Sequence, residues 1–115
     1  LRALHQKDGG SLSYSTRGTP RVKAETRGKI AIVRDQAKLI RALHPTAARI
    51  QFVFVDDIYA TKIAEVLRAN PEYRIVPNDV TLHLIHYESS DPLVAVDMNA
   101  ASQKIRQNVF YWPMR

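Results

Sequence analysis

A clear strand pattern is found in the segment Arg49-Ile50-Gln51-Phe52-Val53-Phe54-Val55-Asp56-Asp57. Its β-branched and aromatic residues form an apolar run that is too short for a helix of its own. The acidic pair at its end marks the point where the run stops. We therefore predict a buried central strand over residues 49–55.

Helical periodicity flanks this strand on both sides. Residues 28–43 carry apolar side chains at a helix-like period with charges between them, and Pro45 ends that helix. The period returns from Ile58 to Asn70, where Asp57 is placed to cap the start of the helix. Asn70-Pro71 ends it, because proline can neither donate a hydrogen bond nor continue the turn.

The remaining residues alternate between strand patterns and turns until a last helical pattern. We predict a short strand over 73–76, a long strand over 80–87, its hairpin partner over 93–97 and a closing helix over 100–109. The connection from the first strand through the helix to the next strand predicts a parallel pair. The fold class is therefore α/β, a thioredoxin-like mixed sheet of about four strands with flanking helices.

The chain divides into four parts, and its length of 115 residues is that of one domain. Residues 1–28 are predicted to be a basic extended arm that is disordered when free. Residues 29–48 hold a leading helix and connector, 49–109 the thioredoxin-like domain, and 110–115 an aromatic tail.

Positive charge is concentrated in the first half. Through Arg49 the chain has eleven Lys or Arg against three acidic residues, and from Ile50 onward it has six against eight. Such an asymmetry indicates a surface that binds something negative, most often nucleic acid. An anionic membrane surface is the weaker alternative, since the arm lacks the large apolar face of an interfacial helix. A merely solvated arm also stays open.

Eight basic residues of this region are spaced to contact successive phosphates along an extended or helical trace. They are Arg17, Arg21, Lys23, Arg27, Lys29, Arg34, Lys38 and Arg41.

The aromatic run Phe110-Tyr111-Trp112 is a second candidate surface, for docking a protein partner. Three consecutive aromatic residues cannot all point into so small a core. Either Phe110 packs inward while Trp112 docks on a partner, or all three fold back over the sheet.

Composition and spacing argue against catalysis. The chain has no cysteine, which removes disulfides and thiolate chemistry. Asp56 and Asp57 are adjacent and so point in different directions, which favours a helix cap over a metal site. His83 and His86 lie three apart on a predicted strand, face opposite sides and cannot bind one metal. A metal-dependent enzyme using Asp56, Asp57 and His83 remains the alternative from another class.

The chain resembles the cysteine-poor, thioredoxin-like family shared by mitochondrial ribosomal proteins and a small accessory subunit of respiratory complex I. The strand Arg49–Val55 with a helix ending in Asn70-Pro71 carries the likeness, as does the turn before Leu93–Asp97. The basic entry Arg27–Arg34 resembles the small-subunit ribosomal branch. Pro77 resembles the proline that faces the redox site of thioredoxin-like proteins, but its cis or trans state stays open.

The resemblance implies a non-catalytic component of the mitochondrial ribosome, in the matrix, without cofactor or small-molecule substrate. Its expected partners are rRNA, bound by the basic residues, and neighbouring ribosomal proteins. The alternative is an accessory subunit of complex I with the same fold and no cofactor, bound to subunits of that respiratory membrane complex. The segment 9–21, rich in Ser, Thr, Gly and Arg, also has the composition of an organelle transit peptide.

Overall fold

A computed structural model describes residues 12–14, 18–88 and 101–114. Within these residues the protein is α/β, with two helices and a four-stranded mixed sheet. In chain order the elements are α1 (Pro20–Leu43), β1 (Ile50–Asp56), α2 (Ile58–Ala69), β2 (Val80–His86), β3 (Gln103–Arg106) and β4 (Val109–Trp112).

The sheet has the strand order β1-β2-β4-β3. β1 and β2 pair in parallel over seven positions, from Ile50 opposite Val80 to Asp56 opposite His86, which confirms the predicted parallel pair. β4 pairs in parallel with the other side of β2, and β3 pairs antiparallel with β4. The predicted central position of the first strand is wrong. β2 holds the inner position because β4 adds to its far side, and β1 is left at an edge of the described sheet.

Helix α1 begins at Pro20, not near residue 28, so the predicted extended arm is wrong for residues 20–28. Thr19 caps the helix, and its Oγ1 accepts a hydrogen bond from the Val22 N–H at 3.2 Å. Pro20 follows at the first helical position, where its fixed φ suits the helix and its missing N–H costs nothing. The residues 1–11 and 15–17 of the predicted arm lie outside the described residues.

Both helices pack on one face of the sheet. On α1 the buried residues Thr26, Ile30, Val33 and Ala37 form one stripe, which repeats as a helix face should. The core joins this stripe to the inner face of α2 and to alternate residues of three strands. Its strand members are Phe52, Val80, Leu82, Leu84, Val109 and Tyr111. Neither described helix combines the length and hydrophobicity needed to cross a membrane.

Residues 73–76 do not form the predicted strand. Tyr73, Ile75 and Val76 are nonetheless 6%, 2% and 2% exposed, and they close the end of the core as a loop between α2 and β2. Both edges of β2 are already paired, with β1 and β4, so this segment has no free edge of β2 to join. The peptide bond before Pro77 is trans.

The predicted closing helix over 100–109 is also wrong. Residues 103–112 form the β3–β4 hairpin, and the predicted aromatic tail is its second strand. Tertiary contacts hold the turn between them: Asn108 donates through Nδ2 to the carbonyls of Pro77 and Val80, at 2.9 and 3.0 Å. Its own carbonyl accepts from the Leu82 N–H at 2.8 Å. The predicted strand 93–97 lies outside the described residues.

Two predicted helix-end residues of α2 behave as expected. Asp57 caps its start, with Oδ1 accepting from the Tyr59 N–H at 3.2 Å. Asn70 ends it, and its buried side chain also binds both the N–H and the carbonyl of Ser13. Its Oδ1 accepts from the Ser13 N–H at 2.8 Å, and its Nδ2 donates to the Ser13 and Val66 carbonyls at 2.8 and 2.7 Å. The segment 12–14 is thereby fixed against the domain.

The helical state of residues 20–28 can be tested with two substitutions on α1. A Cβ at Gly28 would meet nothing within 4 Å, so Gly28→Ala should stabilise the protein by about 0.5–1 kcal/mol. Ala24→Gly, at an exposed position of the same helix, should destabilise it by about the same amount. Urea unfolding measures both. An Ala24→Gly variant as stable as the parent would mean that this segment is extended in solution.

Candidate functional site

A stripe of basic residues runs along one face of α1, and we call it the basic stripe. Residues three, four or seven apart fall on the same side of a helix, and five of the predicted phosphate-binding residues have this spacing. They are Lys23, Arg27, Arg34, Lys38 and Arg41. From Lys23 to Lys38 the stripe is about 22 Å long at the rise of an α-helix.

Two members of the basic stripe are held in place by tyrosines. The guanidinium of Arg27 lies 4.7 Å from the ring centroid of Tyr14, which itself packs against the core. Burial of the Tyr14 hydroxyl raises its pKa. Arg34 lies within 3.4 Å of the Tyr73 hydroxyl and pairs with Asp35. These contacts position the two guanidinium groups while Arg27 stays exposed.

Arg41 has a structural role at the end of α1. Its guanidinium donates to the Ala47 and Pro45 carbonyls at 2.7 and 3.1 Å, and it pairs with Asp79 at 3.2 Å. Since its side chain is only 24% exposed, most of its donors are used within the protein. Arg41 therefore anchors the connection from α1 to β1, and it marks the end of the usable stripe.

Arg74 extends the basic stripe, although sequence reasoning did not select it. Lys38 and Arg74 line the same small cavity, of about 130 Å³, together with residues 75–78. Arg74 is exposed on the loop after α2. Residues 73–76 have the side-chain pattern of a strand, so no local feature of the sequence indicates that Arg74 lies beside α1.

Three other predicted phosphate-binding residues do not join the stripe. Lys29 pairs with Asp56, and its Nζ lies 4.7 Å from the ring centroid of Tyr59. Arg21 pairs with Glu25 at 3.1 Å on a different side of the helix. Arg17 lies outside the described residues. Lys29 thus ties α1 to the start of α2 and is not presented for binding.

The same contact region holds a second tie between the helices. The Tyr59 hydroxyl donates to the Glu25 carboxylate, and this hydrogen bond, with that from Arg21, lowers the pKa of Glu25. The same bond to Glu25 raises the pKa of Tyr59. Both ties fix the angle at which α1 presents its basic face.

The aromatic run is split between the two faces of the sheet, because successive residues of a strand alternate. Phe110 and Trp112 point away from the helices and are partly exposed, whereas Tyr111 points towards α2 and is 6% exposed. The Tyr111 hydroxyl lies 2.6 Å from Thr61 Oγ1. Of the predicted docking residues, Phe110 and Trp112 are therefore available to a partner and Tyr111 belongs to the core.

His83 organises the sheet face that is turned away from the helices, which we call the aromatic face. Its ring stacks on Phe110 with centroids 5.6 Å apart. Trp112 Nε1 donates to His83 Nδ1 at 3.1 Å, and His83 Nε2 lies 2.7 Å from Gln51 Oε1. This arrangement requires a neutral imidazole with its proton on Nε2. Burial lowers the pKa of His83, which favours the same state.

The residues of the metal-dependent alternative are not brought together. His86 lies on the helix-covered side, with Nδ1 3.0 Å from Thr61 Oγ1, so the two histidines face opposite sides as predicted. Asp56 pairs with Lys29 and Asp57 caps α2, both away from His83. Within the part of the chain that the structure describes, no three His, Asp or Glu side chains gather to hold a metal ion.

Comparison with known proteins adds no relative. No protein-family model matches the chain, and neither a curated protein nor a solved structure matches it.

The lowered pKa of His83 predicts an acid-sensitive aromatic face. At pH values between the folded pKa of His83 and the ordinary value of 6.5, His83 is protonated more in the unfolded chain than in the folded protein. The contribution of neutral His83 to the free energy of unfolding is therefore lost as the pH falls through that window. His83→Gln removes this titration. The free energy of unfolding should therefore decline more on acidification in the parent than in the variant.

Trp112 is the single tryptophan of the chain, and its indole contacts His83, so its fluorescence reports the unfolding locally. Identical pH profiles for the parent and His83→Gln would contradict the prediction.

Proposed function

We propose that this protein is a non-catalytic structural component of the mitochondrial ribosome, in its small subunit. It contacts rRNA through the basic stripe and docks on neighbouring proteins through its α/β domain. The observation that carries the proposal is the basic stripe, which lines up Lys23, Arg27, Arg34 and Lys38 on one helix face with Arg74 beside them.

The stripe suits a phosphate backbone more than a protein surface. Its length of about 22 Å lets several cations contact successive phosphates of one strand. Each neutralised phosphate releases counterions, so the affinity comes from charge and does not require base-specific contacts. The partners that hold Arg27 and Arg34 in position reduce the side-chain entropy that binding would otherwise cost.

The aromatic face supports the second half of the proposal. Phe110 and Trp112 are partly exposed on the side of the sheet opposite the helices. Val53 and Val55 lie in the same rows two strands away, with His83 and Ile85 between, and are 51% and 48% exposed. Aromatic residues are enriched in protein interfaces. One molecule could therefore contact RNA from its helix layer and a neighbouring protein from its sheet.

We assign the fold to the thioredoxin-like class as part of this proposal. The parallel β1-α2-β2 unit and the antiparallel β3–β4 pair support the assignment. In redox-active members, two cysteines lie just after the first long strand, where this chain has Asp56-Asp57-Ile58-Tyr59. In this chain Asp57 caps α2 and Asp56 pairs with Lys29, so these two residues stabilise the domain.

Sedimentation of the tagged protein from detergent-solubilised mitochondria tests the proposal. It should migrate with a ribosomal subunit, and ribonuclease should abolish this migration. Migration with a membrane complex that resists ribonuclease would contradict it and would favour the accessory subunit of complex I.

The basic stripe makes a separate prediction in vitro. Replacing Lys23, Arg27 and Lys38 by Gln should weaken binding to RNA and reduce the slope of log K against log salt by about 2, near 0.7 per lost phosphate contact on a single strand. The matched control replaces Arg21, Arg49 and Lys104, three exposed residues off the stripe, and removes the same charge. Equal losses in the two triple variants would show that net charge alone drives binding.

A further inference from the structure

Strand β1 presents an unoccupied edge in the described structure. Its Ile50 N–H donates to the Asp79 carbonyl at 3.2 Å and its Asp56 carbonyl accepts from the Tyr87 N–H at 2.9 Å. Backbone groups alternate in direction along a strand, so the even-numbered residues face β2. The N–H and C=O groups of Gln51, Val53 and Val55 therefore point outward.

Within the described part of the chain, this edge lacks three common protections against pairing. Natural edge strands carry prolines, lysines or bulges that prevent association. Residues 50–56 contain neither proline nor lysine, and their register with β2 is continuous over all seven positions. The edge is also apolar, because Val53 and Val55 are about half exposed.

Apolar surface continues from this edge onto α1. The exposed side chains of Ile32, Leu39 and Leu43 form a second stripe on the helix, at 50%, 58% and 65% exposure. Between the helix and β1 lies a groove of about 450 Å³, which Leu39 and Phe52 help to line. Exposed apolar area of this kind marks an interaction site.

The edge is complementary to itself. Phe52-Val53-Phe54 reads the same in both directions, so an antiparallel pair centred on Val53 places each Phe52 opposite the other copy's Phe54. Arg49 then lies opposite Asp57, and both are exposed. The outward backbone groups also match, since Gln51 faces Val55 and Val53 faces Val53 as hydrogen-bonded pairs. A two-fold symmetric pair therefore gives hydrogen-bond partners to the outward backbone groups and places each Arg49 opposite an Asp57 of the other copy.

We propose that a second copy of this chain occupies the edge. Two β1 strands pair antiparallel about Val53 and join two four-stranded sheets into one of eight strands. The dimer goes beyond the proposed role in the ribosome and does not depend on it. A domain of this size buries only about 60–65% of its unfolded surface alone, so the added burial also stabilises each copy.

The absence of native cysteine makes a direct test possible. In the proposed register Val53 meets its own counterpart with Cα atoms about 5.5 Å apart, within the range for a disulfide. Two copies of Val55 would be separated by about 13 Å or more, which is beyond that range. With oxidised glutathione, Val53→Cys should form a covalent dimer about tenfold faster than Val55→Cys. The two positions are equally exposed, so random collision would link both variants at the same rate.

A second measurement does not depend on cysteine chemistry. The unmodified chain should sediment as a dimer at concentrations on the order of tens of micromolar, and Val53→Lys, which brings two ammonium groups together at the axis, should be monomeric. Circular dichroism verifies that the variant is folded. A parent protein that remains monomeric at all concentrations, or equal cross-linking of Val53→Cys and Val55→Cys, would overturn the proposal.

Discussion

The parallel ladder between β1 and β2 organises the fold. Its seven residue pairs are parallel, so the two strands need a crossover connection, which contains α2. The same register places the side chains of Phe52, Leu82 and Leu84 on the sheet face that packs against the helices. Once β1 occupies one edge of β2, only the other edge is free, and β4 takes it. The loop 73–76 is then left to fill the end of the core without pairing, although its residues have strand-like side chains.

Covering one face of the sheet separates the two candidate surfaces. The helix layer carries the basic stripe, and the opposite side of the sheet carries Phe110, Trp112 and His83. Lys29 ties α1 to the end of β1 through Asp56, and Glu25 ties α1 to α2 through Tyr59, so both contacts fix α1 against the layer below the stripe. A ligand of the stripe therefore meets a fixed set of charges, while a partner on the sheet meets an apolar surface with little charge.

Sequence reasoning failed where one pattern fits two periods. Ala101, Ile105 and Val109 are spaced like a helix face, yet Val109 and Tyr111 alternate as a strand does, and the structure follows the second period. The turn of the hairpin is held by Asn108, which binds the carbonyls of Pro77 and Val80 about thirty residues earlier in the chain. No local pattern contains such a contact. The start of α1, in contrast, has a local signal, because Thr19 is a capping residue and Pro20 suits the first helical position. The prediction of an extended arm followed the basic composition of the segment and overlooked this signal.

The elements with strong local signals can be predicted without the structure. The strand at 50–56, the helix between Asp57 and Asn70, the strand at 80–86 and their parallel pairing follow from apolar period, caps and proline. Tertiary structure alone decided that β1 lies at an edge, that Arg74 joins the basic stripe and that Lys29 and Arg41 serve the fold. A side chain can contact only the residues on elements that share an edge or a face with its own. Which elements become neighbours depends on the packing of the whole core, and no local segment of sequence contains that information.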